Sequence, residues 1–228
     1  MLKRTQSPKK LEKDWFSFSV PLAMIVGGDY LALRLLYRLE PESTAFAMLG
    51  KMMDVAEKSL KLFVVVMQKS PAALTDVKGG FGHNVERLRS VAASFNPAFD
   101  EADVLSLSRS LNDNSGKLYQ QIRYGSEETT EGFSAEPALL MPVIDKIFYQ
   151  SFAGMPPGDR RMMFCASPIK ALIQRLGHDQ TRNPELLSAA LKHSNTYFDR
   201  LVELCVQIDS EEMEIRAAYE RMVARTAV

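Results

Sequence analysis

The stretch AFAMLGKMMDVAEKSLKLFVVVM, residues 45–67, decides the fold class of this 228-residue chain. Its apolar residues recur at steps of three and four, which places them on one face of an α-helix. The members of this stripe are Phe46, Leu49, Met53, Ala56, Leu60, Phe63 and Met67. Because burying one large apolar side chain contributes about 1.5–3 kcal/mol, this helix is predicted to form the centre of the core.

Helical periodicity continues on both sides of this stretch, so the sequence predicts an all-α fold. A first helix is expected over 23–39, although Gly27 and Gly28 weaken its middle. Residues 1–24 are predicted to form a basic, irregular N-terminal arm. Further helices are predicted over 84–93, 101–124 with a break near 112–116, and 137–152.

The Gly/Pro-rich residues 154–158 mark a predicted boundary. After it, residues 158–228 are predicted to form a helical C-terminal extension. Ser167-Pro168 and Asn183-Pro184 each have the pattern of a helix start. A heptad-like series then runs through Leu187, Leu191, Ser194, Phe198, Leu201, Cys205, Ile208, Glu212, Ile215, Tyr219 and Met222. It predicts one long helix packed on a partner helix, either the Ser167 helix of the same chain or a dimer mate through 187–222. Ser194 and Glu212 interrupt the seam and favour the intrachain partner.

The composition gives no indication of a protein that binds nucleic acid or spans a membrane. Lys plus Arg and Asp plus Glu each number 28, so global charge gives no argument for nucleic acid. We find no apolar run near the ~20 residues needed to span a bilayer, and we expect a cytoplasmic protein without a membrane partner. Cys165 and Cys205 are predicted to be buried free thiols. Neither a metal site nor a cofactor is predicted.

Two places offer polar groups for binding. His83 and Asn84 precede a predicted helix, whose N-terminal N–H groups and positive dipole end form either a capped helix start or an anion site to which Arg87 adds charge. Arg123 and Tyr124 lie at a predicted helix end. The Arg123 guanidinium either pairs with a protein carboxylate or donates two hydrogen bonds to a bound phosphate. The Tyr124 ring either covers the core or stacks on a base.

Three segments in this order resemble the HEPN superfamily, all-α domains named for nucleotide binding in higher eukaryotes and prokaryotes. They are Ala56-Glu57-Lys58-Ser59-Leu60-Lys61, Gly82-His83-Asn84 leading to Leu88, and Tyr119 to Gly125. The resemblance covers about residues 30–153, with Asn84 in place of the family's usual acid. It implies an up-and-down helical bundle of HEPN type over 25–153, followed by the C-terminal extension.

The resemblance also bears on activity. Ribonucleases of this superfamily use an Arg followed four to six residues later by a His, and no His follows Arg123 at that spacing. The resemblance therefore implies a non-catalytic binding module for a nucleotide or an RNA end, with His83, Asn84, Arg87, Arg123 and Tyr124 as its ligand-binding residues. The alternatives are a structural or interaction protein that assembles through its C-terminal helix, and a divergent ribonuclease.

Overall fold

The structure is a computed structural model that describes residues 8–39, 45–70, 83–113, 137–176 and 184–226. The described residues contain no strand, so the predicted all-α class is confirmed. In chain order the helices are α1 (Pro8–Leu39), α2 (Ala45–Gln68), α3 (Val85–Ala93), a 3₁₀ helix (Pro97–Asp100), α4 (Ala102–Asp113), α5 (Pro137–Ala153), α6 (Pro157–Ala166), α7 (Pro168–Leu176), α8 (Pro184–Lys192) and α9 (Phe198–Thr226).

The central helix is α2, which packs against α1, α3 and α5. The predicted stripe is buried from Leu49 to Phe63, as expected for the hub of the core. Val64, Val65 and Val66 are buried as well, so the last turns of α2 are enclosed on more than one face. The side chain of Phe46 lies outside the described residues.

The first helix is much longer than expected. It begins at Pro8, so the start near Ala23 is wrong, and the prediction of an irregular arm over 1–24 is wrong for residues 8–24. Pro21 lies inside this helix, where a proline removes one backbone hydrogen bond. The apolar sequence on both sides of Pro21 nevertheless packs into the body. Trp15 and Val20 are partly buried against the core, and Ala23 and Val26 are fully buried. Burial of these side chains outweighs the local cost of the proline.

One segment of the described chain is long and apolar enough to cross a membrane. It covers Trp15–Leu39, with a mean hydropathy of 1.5, and contradicts our expectation that no run reaches that length. A third of its most apolar window is buried inside the protein. Core helices and signal sequences meet the same length and composition criterion.

The C-terminal helices share one hydrophobic core with the N-terminal ones. A single cluster of buried side chains extends from Ala23 of α1 to Ile208 of α9. Helix α1 packs against α6, α7 and α8 as well as against α2. The predicted division at 154–158 coincides with the turn between α5 and α6, and the core continues across it.

The predicted single helix from Leu187 onward is wrong, because α8 ends at Lys192 and α9 begins at Phe198. Ser194 has a left-handed φ of 50°, which a continuous α-helix does not accommodate. The Asn195 side chain accepts a hydrogen bond from the Tyr197 N–H at 2.9 Å. Ser and Asn compete with helical hydrogen bonds in this way, and together they end one helix and start the next.

Candidate functional site

The start of α3 was the first predicted site, and its geometry is that of a capped helix. The Oδ1 atom of Asn84 accepts a hydrogen bond from the Arg87 N–H at 2.8 Å. This contact satisfies one of the N–H groups that an anion would need. The capping interpretation of Asn84 is therefore confirmed.

His83 lies beside a carboxylate. Its Nδ1 is 3.0 Å from Oε2 and 3.1 Å from Oε1 of Glu57 in α2. Glu57 is nearly buried and also pairs with Lys61. A negative charge this close disfavours a phosphate at the same place. Arg87, another predicted ligand residue, is exposed on the first turn of α3. The remaining two, Arg123 and Tyr124, lie outside the described residues.

A buried polar cluster, formed by Tyr30, Arg34, Asp145 and Asn195, was not predicted. Arg34 Nη1 is 3.1 Å from Asp145 Oδ2, and both side chains have no exposed surface. The Tyr30 hydroxyl donates to Asp145 Oδ1 at 2.8 Å and accepts from the Asn195 side-chain amide at 2.9 Å. The cluster joins α1, α5 and the α8–α9 turn inside the core.

Arg34 also binds the end of α8. Its Nε donates to the Ala190 carbonyl at 3.2 Å, and its Nη2 donates to the carbonyls of Leu191 and His193. These carbonyls belong to a helix end, where intrahelical partners are missing. One side chain therefore neutralises Asp145 and satisfies three backbone acceptors.

Burial raises the pKa of the Asp145 carboxyl to about 6, against the opposing effects of the Arg34 guanidinium and the Tyr30 hydroxyl. The Arg34 guanidinium and the Tyr30 hydroxyl both favour the ionised form of this carboxyl, which holds the pair together. Because the Tyr30, Arg34 and Asp145 side chains are closed to solvent and Asn195 is partly exposed, the role of the cluster is to fix the packing of α8. The sequence signal for it was a charged residue within each of two apolar stretches, Arg34 in LALRLLY and Asp145, followed by Lys146, in MPVIDKIF.

The two cysteines differ in environment. Cys205 is buried, as predicted, and burial raises the pKa of its thiol to about 12. Cys165 is exposed, so the prediction that it is buried is wrong. Lys170 Nζ lies 3.3 Å from Cys165 Sγ. Among the described residues, no three His, Cys, Asp or Glu side chains form a group able to hold a metal ion.

The surface of α9 changes character along the helix. We call its predicted apolar face the α9 stripe: Leu201, Cys205, Ile208, Ile215 and Tyr219. The first three are buried in the body, at most 3% exposed, whereas Ile215 is 52% and Tyr219 is 62% exposed. From residue 212 to residue 221 no side chain is buried. The stripe therefore continues beyond the core that covers its first half.

Charged contacts hold α9 at the point where it leaves the body. Asp209 pairs with Lys170 of α7 at 2.9 Å, and Glu211 pairs with Arg160 of α6 at 3.0 Å. Helix α7 is the predicted intrachain partner, and its contact with α9 confirms that prediction for the first half of α9. The second half, residues 212–226, is called the projecting segment below.

Comparisons with protein-family models, with curated proteins and with solved structures find no match for this chain.

Proposed function

We propose that this protein is an interaction protein that assembles with a second copy of itself through the projecting segment of α9. The observation that supports this function is the continuity of the α9 stripe, which is fully covered at Ile208 and open at Ile215 and Tyr219. An exposed apolar face that extends a core seam is typical of a helix that packs on a partner.

The physical reason for a partner is the exposure of apolar side chains on the projecting segment. Most helical stability in proteins comes from packing an apolar face. Along 212–221 no side chain is buried against the described helices. Packing against a second helix covers these apolar side chains.

Charge favours an antiparallel arrangement. The projecting segment begins with the acidic residues Glu212 and Glu214, whereas Arg216, Arg221 and Arg225 follow with Glu220 as the only acid. In an antiparallel pair the acidic half of one helix faces the basic half of the other. A parallel pair places acid beside acid, which is unfavourable.

Ile215→Asp is expected to weaken self-association of the full-length protein by about a hundredfold or more, because a dimer loses two such side chains and burial of each contributes about 1.5–3 kcal/mol. Sedimentation equilibrium measures the dissociation constant. Met213→Asp is the matched control, since Met213 is 73% exposed but lies off the stripe. A wild-type protein that stays monomeric, or equal weakening by the two variants, would show that the stripe is not the interface.

Removing the whole C-terminal region is a poor substitute for these variants. Leu191, Leu201 and Ile208 belong to the shared core, so a chain ending near residue 156 loses part of that core and the carbonyl partners of Arg34. The single substitutions leave the body intact.

Nucleotide or RNA binding of the HEPN type stays a second prediction, as does a divergent ribonuclease activity. Both rest on the sequence resemblance and on Arg123 and Tyr124. The contact of His83 with Glu57 gives no support for an anion at the start of α3.

A further inference from the structure

A second apolar surface lies at the other end of the chain, on α1. We call it the α1 face: Phe18, Pro21, Met24, Ile25 and Gly28, which are all exposed. Met24 and Ile25 are 55% and 50% exposed, whereas Ala23 and Val26 beside them are fully buried. No charged residue occurs between Asp14 and Asp29. An uncharged, apolar surface over three helical turns is typical of a docking site.

The sequence beside this face is basic. Residues 1–14 contain five basic residues, Lys3, Arg4, Lys9, Lys10 and Lys13, against Glu12 and Asp14. Lys9, Lys10 and Lys13 belong to the first turns of α1 itself. A positively charged segment next to an apolar helix face complements the negative headgroups and the acyl boundary of an anionic bilayer.

The side chains at the junction of these two parts are of the kind found at membrane interfaces. Lys69 Nζ lies 4.1 Å from the centroid of the Trp15 ring, and Phe16 is 41% exposed. Trp and Lys side chains are enriched where hydrocarbon meets water.

The opposite side of α1 excludes a helix that crosses the bilayer in this fold. Ala23, Val26, Tyr30 and Leu33 are fully buried against the rest of the protein, and Arg34 of the same helix is held in the buried polar cluster. Only one side of α1 is open to a ligand. A helix with one apolar side open lies in the plane of the interface.

We propose that the α1 face is a docking surface for anionic lipid bilayers, on which α1 lies flat with its basic N-terminal turns against the headgroups. This proposal is independent of assembly through α9, because it uses another helix and another partner.

The test is co-sedimentation of the full-length protein with vesicles of phosphatidylcholine alone and of phosphatidylcholine mixed with phosphatidylglycerol. We expect binding to the mixed vesicles that weakens as salt is added. Replacing Lys9, Lys10 and Lys13 with Gln is expected to weaken it about a hundredfold or more, since each basic residue near the surface contributes about one kcal/mol.

Ile25→Glu places a charge in the centre of the α1 face and is expected to abolish vesicle binding. Val206→Glu is the control, because Val206 is also apolar and 60% exposed but belongs to α9. Circular dichroism verifies that both variants keep their helix content. Failure of the wild type to bind the mixed vesicles, or unchanged binding by Ile25→Glu, overturns the proposal. An Ile25→Glu variant that loses self-association but keeps vesicle binding also overturns the proposal, because the α1 face is then a protein interface.

Discussion

Arg34→Met is expected to lower the free energy of unfolding by about 3–5 kcal/mol, the usual cost of removing one partner from a buried ion pair. The substitution leaves the Asp145 carboxylate without its guanidinium in a region closed to solvent. It also removes the Arg34 hydrogen bonds to the carbonyls of Ala190 and His193, whereas the Leu191 carbonyl keeps its bond from the Asn195 side-chain amide at 2.9 Å. Each unsatisfied buried group adds its own desolvation cost. Urea denaturation of the full-length protein measures the change.

Arg38→Met is the control for this prediction, because Arg38 lies one turn further along α1 and is exposed. Its effect is expected to stay within about 0.5 kcal/mol of zero, as for most surface substitutions. The double variant Arg34→Met/Asp145→Leu is expected to recover much of the loss, since apolar side chains often replace a buried pair without penalty. If Arg34→Met were no more destabilising than Arg38→Met, the buried polar cluster would not be holding α8.

The two adjacent glycines of α1 are expected to respond in opposite directions to the same substitution. A Cβ atom on Gly27 would lie 2.3 Å from Ser167 Oγ and 2.7 Å from Pro168 Cδ, at the turn between α6 and α7. A Cβ atom on Gly28 meets nothing within 4 Å. Gly27→Leu is therefore expected to lower the free energy of unfolding by about 3 kcal/mol, because overpacking forces the helices apart.

Gly28→Leu is expected to raise the same free energy by about 0.5–1 kcal/mol, since leucine is a far better helix former than glycine. Ser167 is buried, and its Oγ accepts a hydrogen bond from the Ile169 N–H at 3.3 Å, so it has little room to move away from a side chain at 27. Thermal unfolding of the pair provides the comparison. Equal shifts for both variants would mean that α1 does not approach this turn as closely as the structure shows.

Sequence patterns correctly predicted the helix faces and helix starts that are set by neighbouring residues. The stripe of α2 identified its buried face, Asn84 marked the start of α3, and Pro137 and Pro168 marked the starts of α5 and α7. In each case the determinant is a residue type within the element or at its end, which sequence patterns report directly.

The predictions that were wrong concern features set by contacts between residues far apart in the sequence. Gly27 and Gly28 read as a weak point in a short helix, whereas Gly27 is the place where α1 contacts the turn before α7. The end of α8 is held by Arg34, whose carbonyl acceptors lie 156 to 159 residues away in the sequence. Periodicity carries no information about such pairings.

The candidate sites also include some features with a local cause and others that depend on distant residues. The cap was one of two alternatives that the position of Asn84 offered, but the carboxylate beside His83 comes from α2, 26 residues earlier. The α9 stripe was visible as a heptad-like series. The point at which the stripe passes from buried to exposed depends on where the core ends. The packing of α5 and α7 on α9 determines that position.

Hydrogen exchange of the backbone amides at residues 212–221, measured at protein concentrations above and below the dimer dissociation constant, tests assembly through α9 most directly. A helix that packs on a second copy exchanges slowly when associated and frays when alone. We therefore predict protection of these amides that grows with protein concentration in the wild type and is largely lost in Ile215→Asp. Equally fast exchange at every concentration, together with a monomeric mass, would contradict the proposed role of the projecting segment.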